Sequence, residues 1–136
     1  MSQNKVILLL GTNLGDKKKN LVTAKEFIKA EIGKILQESN ILENKAEDFT
    51  SNNLFLNQKI EILTQLNPFE LLFTIKGIEN KIGRVYSTPL QNEIHTDRLI
   101  DIDILNFNKI SINCKSLTIP HKQIYTREFV KSLFFY

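Results

Sequence analysis

The chain has 136 residues, 42% of them hydrophobic and 24% charged, with a formal net charge of +3, which predicts one globular domain over residues 1–136 with a real core. A surplus that small is no footprint of a nucleic-acid binder, and no apolar run approaches the roughly 20 residues of a membrane helix. The lone Cys114 cannot close an internal disulfide, so a reducing, cytoplasmic setting is expected.

Lys5 to Leu10 reads as a buried strand broken by Gly11 and Gly15, with Asp16 as the N-cap of a helix. Leu21, Ala24, Phe27, Ile28 and Ile32 recur at helical spacing, Gly33 stops the run, and Lys17 to Lys19 read as solvated surface. A weaker strand is expected from about Ile35 to Leu42, then a polar loop from Glu43 to Asn53. LFLNQKIEIL alternates: Leu54, Leu56, Ile60 and Ile62 point one way, while Phe55, Asn57, Lys59 and Glu61 point outward.

Asn67, Pro68 and Glu70 announce a second helix as N-cap, first residue and capping-box partner. Leu71, Leu72, Ile75, Ile78 and Ile82 form its apolar face, and Gly83 ends it. Val85 to Asp97 has no period and reads as a long loop, a kind that is usually functional or disordered. Leu99 to Leu105, LIDIDIL, is a further strand, NFNKISI a hairpin leading to SLTIPH, and the tail a short helix or turn on the sheet. The order β-α-β-β-α-β predicts an α+β sandwich of ferredoxin-like type, with a C-terminal strand or hairpin extension. Both helices would cover one face of an antiparallel sheet and leave the other face available.

Asp101 and Asp103 share one face of LIDIDIL, about 6.6 Å apart at the usual strand rise. Two carboxylates above a sheet can hold magnesium, a hard ion that takes one or two carboxylates plus substrate phosphates. A solvated acidic face is the plain alternative for any D-x-D. Arg84, Arg98, His121 and Arg127 bring phosphate-binding charge to the same region of sequence, completing the two halves of a nucleotide site. GTNLGD has neither P-loop nor dinucleotide-fold spacing.

In family order, LGTNLGD (Leu10 to Asp16), FLN (Phe55 to Asn57), IENKIGR (Ile78 to Arg84), RLIDIDIL (Arg98 to Leu105) and LTIPH with REFV (Leu117 to Val130) resemble the 6-hydroxymethyl-7,8-dihydropterin pyrophosphokinases of folate biosynthesis. The resemblance implies transfer of a pyrophosphoryl group from ATP, as co-substrate, to the hydroxymethyl oxygen of the pterin. It implies two Mg2+ ions on Asp101 and Asp103, with Arg84 and Arg98 joining them as catalytic residues. ATP would also meet Lys76, Glu79, Ile104, Leu117, Thr118, His121 and Arg127. The pterin would meet Asn44, Phe55, Asn57, Asp101 and Phe129, the two aromatics forming opposite walls. A small-molecule enzyme of this kind, expected as a monomer, needs no nucleic acid or membrane. Tyr86 stands where the family often has a second basic residue, and Ser116 where some members have arginine. The rivals are a catalytically impaired member that binds pterin or ATP, and a ferredoxin-like RNA-binding module, which would show aromatics in an RNP-like run.

Overall fold

A computed structural model describes residues 3–45, 54–83, 99–121, 133 and 135. The elements run β1 (Asn4–Thr12), α1 (Lys17–Glu31), β2 (Gly33–Lys45), β3 (Leu54–Thr64), α2 (Pro68–Ile82), β4 (Asp101–Phe107), β5 (Ile112–Asn113) and β6 (Thr118–Ile119). The first six make the expected ferredoxin-like unit, an antiparallel sheet ordered β2-β3-β1-β4. β5 and β6 pair with each other as the C-terminal hairpin.

The helix starts follow their local chemistry. Asp16 caps α1 by accepting from the Lys19 amide at 3.2 Å. Asn67 and Glu70 close a reciprocal capping box on α2: Glu70 N–H donates to Asn67 Oδ1 at 2.8 Å, and Asn67 N–H to Glu70 Oε1 at 2.9 Å. Gly83 ends α2 at φ 127, a conformation that a Cβ would strain.

The main core lies between the helices and one face of the sheet. Val6, Leu8 and Leu10 of β1, Ile60 and Ile62 of β3, Ile102 and Ile104 of β4, Leu21 and Ile28 of α1, and Ile75 and Ile78 of α2 are all buried in it. Removing that apolar surface from water is the main favourable contribution to folding.

Several expectations are corrected. β2 runs on to Lys45, because Glu43 and Asn44 pair with Leu56 and Phe55, so the loop cannot begin at Glu43. Part of the sheet's second face is covered: Leu133 packs there on Leu9 and Leu105, and Lys59 Nζ donates to Leu133 O at 2.8 Å. The NFNKISI hairpin is instead a turn, Ile110 N–H to Phe107 O at 3.0 Å, leading into β5 and β6. Lys17 is more than solvated surface, since its Nζ donates to Leu54 O at 3.0 Å and ties α1 to β3. The reading of Val85 to Asp97 as a loop lies outside the described residues.

Candidate active site

Among the described residues β4 is an edge strand, with β1 on one side and no partner strand on the other. α2 and the β5–β6 hairpin flank that side and leave a cleft of about 470 Å³. Lys76 and Glu79 come from α2, Asp101, Asp103 and Ile104 from β4, and Leu117, Thr118 and His121 from the hairpin and the residues after it. Eight site residues expected from the sequence therefore share one cleft. A hollow of about 770 Å³ lies at the opposite end of β4, lined by Lys5, Ile7, Glu61 and Asn106, away from the acids.

The strand pleat separates the duties of β4. Ile102 and Ile104 turn into the core, while Asp101 and Asp103 remain partly exposed on the other face. His121 Nε2 lies 3.9 Å from Asp103 Oδ1, and both side chains are 28% exposed. The backbone holds that histidine in place, since His121 N–H donates to Leu105 O at 2.9 Å.

On the face that carries the acids, cross-strand register builds a second surface. Gly11 pairs with Asn57 on β3 and with Asp101 on β4, so the three form one row. A Cβ on Gly11 would stand 3.2 Å from Asn57 Oδ1 and 3.9 Å from Phe55 Cδ1. Without a side chain, Gly11 lets the Asn57 amide and the Phe55 ring close over its buried backbone, so an amide, an aromatic ring and a carboxylate line one shelf. Asn57 is 5% exposed and Phe55 partly buried, which corrects the expectation of an exposed pair. Asn44 sits opposite Phe55 at the end of β2.

Glu79 departs furthest from a surface reading: it is 1% exposed, and its Oε2 accepts from the Ile102 amide at 2.8 Å. Arg84, Arg98, Arg127 and Phe129 lie outside the described residues. The sequence reading did not single out Gly11 as a shelf-former, nor Leu72, Ile75, Lys115 and Ser116 as further cleft lining. Helical spacing marks Leu72 and Ile75 as buried but does not show that they reach a cleft, and Gly11 shows its use only in register with Asn57.

The sequence matches the family model for 7,8-dihydro-6-hydroxymethylpterin-pyrophosphokinase (HPPK) over residues 7–135. The chain belongs to this family. A 2-amino-4-hydroxy-6-hydroxymethyldihydropteridine pyrophosphokinase of Porphyromonas gingivalis is 33% identical over 127 residues, covering 93% of this chain and 85% of that one. Its namesake from Bacillus subtilis is 35% identical over 129 residues, covering 93% and 74%. The fold is shared with the Plasmodium falciparum HPPK-DHPS crystal structure, at TM-score 0.73 and 17% identity, over 97% of this chain and 40% of that one. Within the HPPK family frame, the edge cleft and the glycine shelf are two surfaces that meet at Asp101.

Proposed function

We propose that this protein is an ATP-dependent pyrophosphokinase that transfers the terminal pyrophosphoryl group of ATP to the hydroxymethyl oxygen of 6-hydroxymethyl-7,8-dihydropterin. The observation that carries this reading is the position of Asp101 and Asp103: both line the edge cleft, and Asp101 also stands in the row of Gly11 and Asn57.

In the cleft, Ile104 and Leu117 offer apolar surface to an adenine, and the open edge of β4 together with Thr118 offers backbone groups. Lys76 and His121 bring donors for the phosphate chain. On the shelf, a flat pterin would stack on the partly exposed Phe55 ring, with the Asn57 amide, seated over Gly11, at its polar edge. The family motifs add Arg84, Arg98 and Arg127 on the phosphates, Phe129 as the second aromatic wall and Asn44 beside the pterin.

The donor set fits magnesium. Two partly exposed carboxylates on one strand face supply hard oxygen ligands, and the phosphates of ATP supply the rest. Among the described residues no group of three or more His, Cys, Asp or Glu gathers at one place, so in this reading the phosphates of ATP complete the shell. Bound there, two ions would neutralise charge on the phosphates and lower the pKa of the attacking hydroxyl.

The chain's own contribution is alignment and electrostatics. The shelf fixes the hydroxymethyl group and the cleft fixes the triphosphate, so the oxygen meets the β-phosphorus within one assembly. The new O–P bond forms as the bond from the β-phosphorus to the α,β-bridging oxygen breaks. That oxygen leaves with AMP, and the hydroxyl proton passes to solvent. His121 and Lys76 stabilise the charge that gathers on the leaving phosphate. Incubation with ATP, Mg2+ and the pterin tests the reading. AMP and pterin diphosphate should appear in equal amounts, and AMP released without the pterin would overturn it.

A further inference from the structure

We infer that Glu79 is a positioning residue for the Asp101–Asp103 pair, and that it acts through the backbone amide between them. This rests on the reading above, in which the pair holds divalent cations.

Ile102 lies between the two aspartates, and its amide points off the edge of the sheet, where no strand follows among the described residues. His121 N–H holds that edge at Leu105 O, well along β4, and the start of an edge strand without such a partner is free to twist and to fray. Asp101 is the first residue of β4, where such fraying would move a ligand carboxylate directly. Glu79 supplies the missing partner: its Oε2 accepts from Ile102 N–H at 2.8 Å, twenty-three residues away in sequence. β4 is thereby held between β1 on one side and a helix carboxylate on the other, so Asp101 and Asp103 keep one spacing and one direction.

The position is costly for a carboxylate in two ways. Glu79 is 1% exposed, so its charged form has lost most of its water. It also stands in the last turn of α2, where the helix dipole disfavours negative charge, and Gly83 N–H donates to its backbone oxygen at 3.1 Å as the helix ends. A leucine there would extend the apolar row of Ile75 and Ile78 at lower cost. Among the contacts described, what the carboxylate adds is an acceptor for the amide between the aspartates.

The experiment compares the parent with Glu79→Leu, which removes the acceptor, and Glu79→Gln, which retains a carbonyl in its place. Mn2+ binding is followed by electron paramagnetic resonance in the presence of a non-hydrolysable ATP analogue, and pterin binding by fluorescence. E79L should weaken Mn2+ binding about tenfold, the scale of one lost hydrogen bond, while pterin affinity stays within about twofold. E79Q should stay close to the parent. Unchanged Mn2+ binding in a folded E79L overturns the inference, and so does an E79Q as weak as E79L, which would point to charge rather than to the hydrogen bond. If E79L does not fold, Glu79→Asp decides: its withdrawn oxygen should weaken Mn2+ binding, and unchanged binding overturns the inference. A parent that binds no Mn2+ with the analogue overturns the cation reading and this one with it.

Discussion

Asn57 and Asp101 face the same side of the sheet from opposite neighbours of Gly11, so an amide and a carboxylate flank one buried glycine. A substrate ring bound along that row would be read by one and delivered to the other.

Gly11→Ala places a methyl 3.2 Å from Asn57 Oδ1, on the shelf itself. Overpacking a close contact costs on the order of 1–3 kcal/mol, so the KM for pterin should rise roughly tenfold while that for ATP holds. Steady-state kinetics with each substrate varied checks this. Equal changes in both KM values would mean that the sheet, rather than the shelf, had moved.

Asn67→Ala removes one arm of the capping box at the far end of α2 from Glu79. The loss should be about 1 kcal/mol of stability, seen as a lower midpoint in urea, with the Mg2+ dependence of turnover unchanged. No shift in the midpoint would show that the box contributes nothing to stability.

Cys114 is exposed in the hairpin turn, and hydrogen bonds from Ser116 hold its thiol below the usual 9.0. The pH midpoint of its alkylation should therefore lie below that of a free cysteine measured alongside and rise in Ser116→Ala. ATP with Mg2+ should slow the reaction, because Lys115 to Thr118 line the cleft next door. Alkylation indifferent to nucleotide would argue against adenine at this hairpin.

Burial holds the Lys59 ammonium below its usual 10.5, so the folded chain gives up this proton at lower pH than the unfolded chain does. Between the lowered value and 10.5 the unfolded chain binds more protons, and stability rises with pH across that window. Lys59→Met should remove that part of the slope and also free Leu133, whose carbonyl Lys59 holds at 2.8 Å. Urea midpoints at several pH values test this, and parallel profiles for parent and variant would contradict it.

How much was legible in the chain depended on how local each signal is. Asn67, Pro68 and Glu70 satisfy one helix end among themselves, so the start of α2 could be read from four residues. Alternation in LIDIDIL put both aspartates on one face before any partner strand was known. The end of β2 carried no such mark, because Glu43 and Asn44 belong to a strand only through Leu56 and Phe55 opposite them. The resemblance puts Glu79 beside the nucleotide with Lys76; its burial against the Ile102 amide follows from where Ile102 lies, which spacing on a helix cannot show. Leu133 over Leu9 is of the same kind, a contact made by tertiary closure alone.

The most direct measurement of the central claim is pterin-dependent AMP release by Asp101→Asn and Asp103→Asn, each confirmed to fold. Both should lose about a thousandfold or more in turnover, because each removes a carboxylate ligand from ions that neutralise the phosphates. Turnover within a few-fold of the parent in either variant would contradict the account, since the phosphates would then be neutralised elsewhere.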